Sequence, residues 1–326
     1  MRPHRRPPAA TRLDTERVIR FGLVFPPASW REAGLVEELG YDSIWAGEHL
    51  FFYGPTYEAL ITLSFFAQQV RNINIGSAVV LVPLRHPVVL AKAAATLDLL
   101  SGGRLILGIG VGGEYPKEFE AVGVPVSERG ARTNESIRLM RRLWSAENVT
   151  FRGRFFRVEN VTLWPRPARP GGPPIWVAGR SEAAIRRSAR YGDGYLPYLF
   201  SPERYRSSFE LLGKELDRLG RNPGEVVRGL YQFICVADSY SEARAEAVER
   251  LSRQYNQPFD RVVDRYVVLG NPDDCRRRLE EYVAAGVEYF ILVPTGRPGR
   301  YFEQVRAIAA EVLPRFRRPG LKALAG

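Results

Sequence analysis

The sequence predicts a single closed α/β barrel, eight parallel strands each followed by a helix: a (β/α)8 TIM barrel with insertions. Three observations carry this. Short, strongly apolar runs alternate with stretches of helical length along the 326 residues. The runs are apolar on both faces, as strands buried between an outer layer of helices and a packed interior must be. No break in composition divides the chain, and a barrel of this kind takes ~250 residues before insertions are added.

The elements follow in order. Phe21 to Phe25 (F-G-L-V-F) reads as the first strand, stopped by Pro26 and Pro27. Ser29 to Leu39 has helical spacing and ends at Gly40, a C-terminal cap glycine. The second strand, Ser43 to Ala46, runs through Gly47 and delivers Glu48 and His49 side by side; a helix from Thr56 to Val70 follows. Ile73 to Val82, rich in β-branched residues, reads as one continuous third strand ending at Pro83. Pro87 opens a helix at its first position, which runs to Leu100 and stops at Ser101-Gly102-Gly103. Arg104 to Val111 is the fourth strand, and Ser127 to Trp144 a long amphipathic helix.

Thr150 to Leu163 alternates apolar and polar residues around Gly153, the pattern of a hairpin inserted into the barrel. The insertion spans 149–172, and its Pro-rich end leads into the fifth strand, Ile175 to Ala178. A helix from Glu182 to Tyr191 precedes the sixth strand, Gly194 to Tyr198, and Pro202 to Leu219 is helical again. Val227 to Ala237 is the seventh strand and Ser241 to Tyr255 its helix. An irregular stretch, Asn256 to Leu269, precedes a helix from Asp273 to Ala285. Val287 to Val293 is the eighth strand, and Tyr301 to Phe316 closes the barrel as a helix. The predicted organisation is a basic tail over 1–20, a barrel domain over 21–316 and a second tail over 317–326.

The formal net charge of +11 raises the question of a nucleic-acid partner. Residues 1–20 hold six arginines against Asp14 and Glu16, and residues 315–326 hold three arginines and Lys322 with no acid. Each end therefore carries +4, leaving +3 for the body, which is no basic face of the kind a duplex binder needs. The first twenty residues lack an apolar export core, and no run approaches the ~18 apolar residues of a membrane span. Cys235 and Cys275 stand alone, without the Cys or His neighbours of a zinc site. Two buried, reduced thiols in a cytoplasmic protein are the expectation, and no metal is called for.

Of the three histidines, His4 lies in the basic tail and His86 is wedged before Pro87. His49 alone ends a parallel strand, where the chemistry of such barrels collects. An isolated histidine is often a hydrogen-bonded core residue. At a strand's end, after a glycine and before an aromatic loop (Phe51, Phe52, Tyr53), it is a candidate proton donor and acceptor near neutral pH. Glu48 points to the opposite side of an extended backbone, so a hydrogen bond to a cofactor or a helix end suits it as well as catalysis.

Gly108 to Gly113 (G-I-G-V-G-G) satisfies a dinucleotide fingerprint in letters only, because Glu114-Tyr115-Pro116 follows rather than an evident helix. Gly110, Gly112 and Gly113 fit a rim loop where backbone approaches a flat ring. At Ala178-Gly179-Arg180-Ser181 a strand ends in glycine and a helix begins, so free N–H groups, the helix's positive end and Arg180 suit a phosphate. Ser181 also reads simply as an N-cap, and the two roles are compatible. Arg85 and His86 suit either substrate contact or a helix start. Arg129, Arg132 and Glu135 have the spacing of a solvated or ion-paired helix face.

The blocks G-Y-D-S-I-W-A-G-E-H, G-S-A-V-V-L-V-P-L-R-H-P, A-A-A-T-L-D-L-L-S-G-G-R-L-I-L-G-I-G-V-G, E-F-E-A-V-G-V-P-V-S-E-R-G-A-R-T-N-E and P-P-I-W-V-A-G-R-S-E-A-A-I-R-R-S-A-R-Y-G-D-G cover about half the chain. In order and spacing they resemble the bacterial-luciferase-like oxidoreductases, and among these the branch that uses the deazaflavin coenzyme F420. The resemblance implies a ring lying across the C-terminal rim, with His49 beside its reactive carbon as the substrate's proton donor or acceptor. It puts Glu48, in place of the branch's more usual aspartate, at the cofactor. It also implies a non-prolyl cis peptide behind the ring at Ala78–Val79, and a homodimer.

The expected function is hydride transfer between F420 and a small organic substrate. An FMN-dependent monooxygenase on the same barrel is the alternative, and a barrel that binds a cofactor without catalysis is the third reading. The rim loops at 50–56, 149–172 and 256–268 are where substrate preference should reside.

Overall fold

A computed structural model describes residues 18–297 and 299–317. Its strands are β1 (Arg20–Val24), β2 (Ser43–Ala46), β3 (Asn74–Ser77), β4 (Val80–Leu81), β5 (Leu105–Gly110) and β6 (Val149–Arg152). They continue with β7 (Arg157–Val161), β8 (Ile175–Ala178), β9 (Gly194–Leu196), β10 (Val227–Val236), β11 (Val268–Gly270) and β12 (Tyr289–Pro294). Eight of them close a parallel barrel in the order β1-β2-β3-β5-β8-β9-β10-β12, and β12 returns to β1 with Arg20 opposite Tyr289. The tails expected at 1–20 and 317–326 lie almost wholly outside the described residues.

Helices cross between the strands, and most begin where the sequence offers a cap. Pro87–Leu100 starts on His86, whose Nδ1 accepts from the Val88 N–H at 3.3 Å. Pro272–Ala284 starts on Asn271, which forms a reciprocal capping box with Asp274. Their apolar faces meet the strands in one large cluster that includes Phe21, Leu63, Leu107, Ile175, Leu230 and Phe290. Inside the barrel a second cluster, Trp45, Ile106, Trp176, Leu196, Tyr289 and Ile291, fills the space below the rim. Trp45 fits because β3 carries Gly76 beside it, where any Cβ would collide with the indole. The Ser43 hydroxyl oxygen accepts from Trp45 Nε1 at 2.6 Å and from the Tyr289 hydroxyl at 2.7 Å, so both polar tips are satisfied in this interior.

Four local expectations are corrected. The third strand is not continuous: β3 ends at Ser77, the Ala78–Val79 peptide is cis, and β4 is followed by a 3-10 turn at Val82–Leu84. β-branching alone does not reveal such a break. The closing segment is an α-helix only over Tyr301–Ala307, then widens to a π turn and a 3-10 turn ending at Phe316. The stretch expected to be irregular contains a short helix, Val263–Tyr266, and β11, which pairs with β10. Finally, a short helix, Pro116–Ala121, follows the glycine loop. The inserted hairpin is present as the antiparallel pair β6 and β7.

Among the described residues no helix is long and apolar enough to cross a membrane.

Candidate active site

The C-terminal ends of the barrel strands open into one cavity of about 830 Å³. Its floor and walls come from Val24, Gly47 to His49, Ala78, Val79, Gly110, Gly112, Ala178, Gly179 and Leu196. The loop 52–57 closes one side, and the helix Tyr240–Tyr255 with Arg297 closes the other.

His49 lies on this cavity wall, and its Nδ1 sits 3.2 Å from each oxygen of Glu118. Glu118 is fully buried on the short helix Pro116–Ala121. The same carboxylate accepts the N–H of Leu50 at 2.7 Å and of Phe51 at 3.3 Å. It is thus an acceptor held from three sides, and Nδ1–H donates to it. Nε2 then remains as the ring nitrogen open to an incoming group. Phe52 stacks on the imidazole with ring centres 4.2 Å apart and an interplanar angle of 17°. Phe52 also meets Tyr255 in an edge-to-face contact, with ring centres 5.9 Å apart.

Glu118 was not among the residues singled out from the sequence. The available signal was Pro116 at a helix's first position, which would have placed Glu118 on a helix directly after the glycine loop.

Glu48 lines the cavity, but its oxygens are engaged by protein. Oε1 accepts the Leu81 N–H at 2.9 Å, Oε2 the Ala59 N–H at 3.2 Å, and Arg85 Nη2 reaches Oε2 at 2.6 Å. Arg85 in turn bridges to Glu58 at 2.6 Å. The Arg85 guanidinium is therefore a brace between the second and third strand ends. His86 caps its helix and packs edge-on against Phe156.

Ala78 and Val79, joined by the cis peptide, line the cavity together with Gly110 and Gly112. A Cβ at Gly110 would stand 2.6 Å from Val79 Cγ2, so the two strand ends approach closely only because Gly110 is bare. Gly112 has φ +63°, a left-handed turn that starts the loop to Glu118. Gly113 packs outward against Arg129, away from the cavity lining.

Ala178 and Gly179 line the cavity; Arg180 and Ser181 are exposed beside it. Ser181 caps the helix Glu182–Tyr191 by accepting from Ala184 N–H at 3.3 Å. Arg180 lies over the Tyr198 ring at 4.8 Å. Tyr198 donates to Glu114, and both line the cavity. Burial, then the Glu114 charge, holds the Tyr198 phenol above its ordinary range, so it keeps its proton.

On the helix face expected to be solvated or ion-paired, Arg132 pairs with Glu128 at 2.9 Å, whereas Glu135 departs from that expectation. Glu135 is buried and accepts the N–H groups of Arg154, Phe155 and Phe156 at 3.0, 2.9 and 2.8 Å, which fastens the inserted hairpin to the barrel. Among the described residues no group of three His, Cys, Asp or Glu side chains could hold a metal ion.

A parallel barrel whose rim brings a histidine–carboxylate pair and glycine-bare walls to one large cavity defines a rim-site TIM-barrel protein. The chain belongs to the luciferase-like monooxygenase family, whose profile it matches over residues 29–289. It is 30% identical over 312 residues to the F420-dependent glucose-6-phosphate dehydrogenase of Kineococcus radiotolerans, covering 86% of this chain and 90% of that one. Among solved structures it resembles the monooxygenase RslO1 from Streptomyces bottropensis, with a TM-score of 0.81, 26% identity, and coverage of 92% of this chain and 100% of that one. An F420-dependent secondary alcohol dehydrogenase in complex with an F420-acetone adduct shares the fold, with a TM-score of 0.82 and 19% identity over 92% of this chain and 99% of that one.

Proposed function

We propose that this chain is an F420-dependent oxidoreductase that moves a hydride between the deazaflavin ring and a small organic substrate, with His49 handling the substrate's proton. The observation that carries the reading is the His49–Glu118 pair on the cavity wall. The named activity of the Kineococcus relative supports the cofactor.

The residues fit such a cofactor. A cavity of about 830 Å³ is within the usual range for cofactor sites. Gly47, Gly110 and Gly112 let the strand ends close in around the cavity, since a Cβ there would meet Ala78, Val79 or Phe119. Ala78, Val79, Gly110 and Gly112 would line that ring, while Ala178, Gly179, Arg180 and Ser181 would hold a phosphate of its tail. Glu48 and Gly113 would act from behind, by holding Leu81 and the turn after Gly112. When bound, the deazaflavin supplies or accepts the hydride. Glu118 fixes the imidazole's tautomer and plane, and Phe52 covers one of its faces. His49 Nε2 gives or takes the proton, a contribution of roughly 10²–10⁴ in rate.

The 26% identity to the monooxygenase RslO1 supports a second reading, a monooxygenase on the same site, for which FMN would be the cofactor. Titration of the purified protein with F420 and FMN separates them, because tight FMN binding with oxygen uptake contradicts the first. We also place the protein in the cytoplasm, as a homodimer. Exposed Ile61 and Phe65 on the helix Ala59–Gln69, and Val89 on the next, support a buried face in the dimer. A monomer in sedimentation experiments would remove that part.

A further inference from the structure

The cavity wall made by the helix Tyr240–Tyr255 carries charge that the hydride-transfer chemistry does not use. Arg250 and Arg253 both line the cavity, three residues apart on one helix face. Helix spacing offers each an acid four residues earlier, Glu246 and Glu249. Neither pair forms. Glu246 is buried and committed elsewhere: its Oε1 lies 2.9 Å from Arg300 Nη1 and 3.3 Å from Arg297 Nε, and its Oε2 accepts the Arg297 N–H at 3.0 Å. Glu249 also lines the cavity, and among the described residues neither Arg250 nor Arg253 makes an ion pair with a carboxylate. Arg250 is half-buried in this state. Arg297, drawn in by Glu246, completes a triad of guanidinium groups around the same cavity.

We propose that Arg250 and Arg253, with Arg297 beside them, dock an anionic group, a phosphate or carboxylate, of the molecule that enters this cavity. Arg250, half-buried and without an ion-pair partner, gives up hydration that an arriving anion restores, while Arg253 and Arg297 stand exposed beside it. Arginine's forked donors suit the flat or tetrahedral oxygens of such groups. Glu246 acts indirectly, by holding Arg297 at the cavity. Glu249 opposes the anion and limits the site to a ligand that two or three arginines can outweigh. The anion has two sources to separate, the substrate or whatever acidic groups of the cofactor's tail Ala178 to Ser181 leave free. The second rests on the deazaflavin reading above, whereas the first does not.

The test uses the full chain as wild type, as the Arg250→Gln/Arg253→Gln double variant and as the charge-keeping Arg250→Lys/Arg253→Lys variant. Inorganic phosphate is the probe, against chloride at matched ionic strength, and the readout is the melting temperature with and without F420. F420 and a deazaflavin lacking the phosphate tail are then titrated by fluorescence. If the anion is the substrate's, phosphate stabilises the F420-loaded wild type and the lysine variant. The glutamine variant then binds phosphate at least tenfold more weakly, with F420 affinity unchanged. If the anion is the cofactor's, the glutamine variant loses at least tenfold in F420 affinity, keeps its affinity for the tail-less deazaflavin, and F420 abolishes the phosphate effect in the wild type. Glu249→Gln strengthens binding in either case. Equal phosphate and F420 affinities in wild type and glutamine variant, both folded by circular dichroism, overturn the proposal. Failure of F420 to bind the wild type overturns the cofactor reading alone, since phosphate binding to the cofactor-free protein still decides the arginine site.

Discussion

The imidazole Nδ1 of His49 lies 3.2 Å from both oxygens of Glu118, and that carboxylate is buried beneath the rim. Two backbone N–H groups of the following loop, Leu50 and Phe51, share it. Loop position and imidazole orientation are therefore set by one side chain. His49→Ala should lower turnover by roughly 10²–10⁴ while F420 affinity changes little. Glu118→Gln should lower kcat by about 10²-fold with a smaller effect on KM, because an amide can turn its donor toward Nδ1 and present the wrong tautomer. The pH profile of kcat should shift in Glu118→Gln. A flat profile, or a loss confined to KM, would mean that Glu118 only supports the loop.

Glu48 makes a different prediction from a ring contact. Its carboxylate holds the Leu81 and Ala59 N–H groups and a nearly buried ion pair with Arg85. Its removal leaves those two N–H groups without an acceptor while Arg85 keeps Glu58, so Glu48→Ala should cost roughly 2–4 kcal/mol in urea denaturation of the cofactor-free protein. Unchanged stability with weakened F420 binding would assign Glu48 to the ring instead.

Glu135 ties the inserted hairpin to the barrel through three N–H groups. Glu135→Ala should destabilise by about 2–3 kcal/mol and open the turn around residues 153–156 to limited proteolysis. Cleavage elsewhere first would contradict this anchoring.

Cys235 and Cys275 are both buried and free. Burial, with the Glu246 charge added for Cys235, pushes both thiols up from 9.0 to about 12. The neutral thiol is favoured in the folded state, so its stabilisation is complete below pH 9 and is lost as pH rises toward 12. Each thiol should lower the unfolding free energy by about 1.4 kcal/mol per pH unit within that window. Neither should react with a disulfide reagent at pH 8 until the protein is unfolded. Rapid labelling of the native protein would contradict their burial.

Much of the barrel was legible because its signals are local. Val, Ile and Leu runs, Pro87 and Pro202 at helix starts, and glycines at helix ends each mark an element within a few residues. His49 was legible for the same reason, since a strand's end places it on the rim. The parts that escaped depend on partners distant in sequence. Glu118 lies 69 residues from His49, and Glu135 lies 20 from Phe155. Nothing near Glu135 distinguishes a carboxylate that binds a hairpin turn from one facing water. The third strand's break falls where Gly76-Ser77-Ala78 meets Val79-Val80, a junction with no proline to mark it, and only the family resemblance pointed to Ala78–Val79.

Titration of the purified protein with F420 and with FMN, by absorbance and fluorescence, followed by single-turnover hydride transfer in wild type and His49→Ala, addresses the central claim most directly. Saturable F420 binding at least a hundredfold tighter than FMN, kept in His49→Ala while hydride transfer is lost, is the predicted result. Tight FMN binding with oxygen consumption by the reduced flavin, or hydride transfer from F420 that persists without His49, would contradict it.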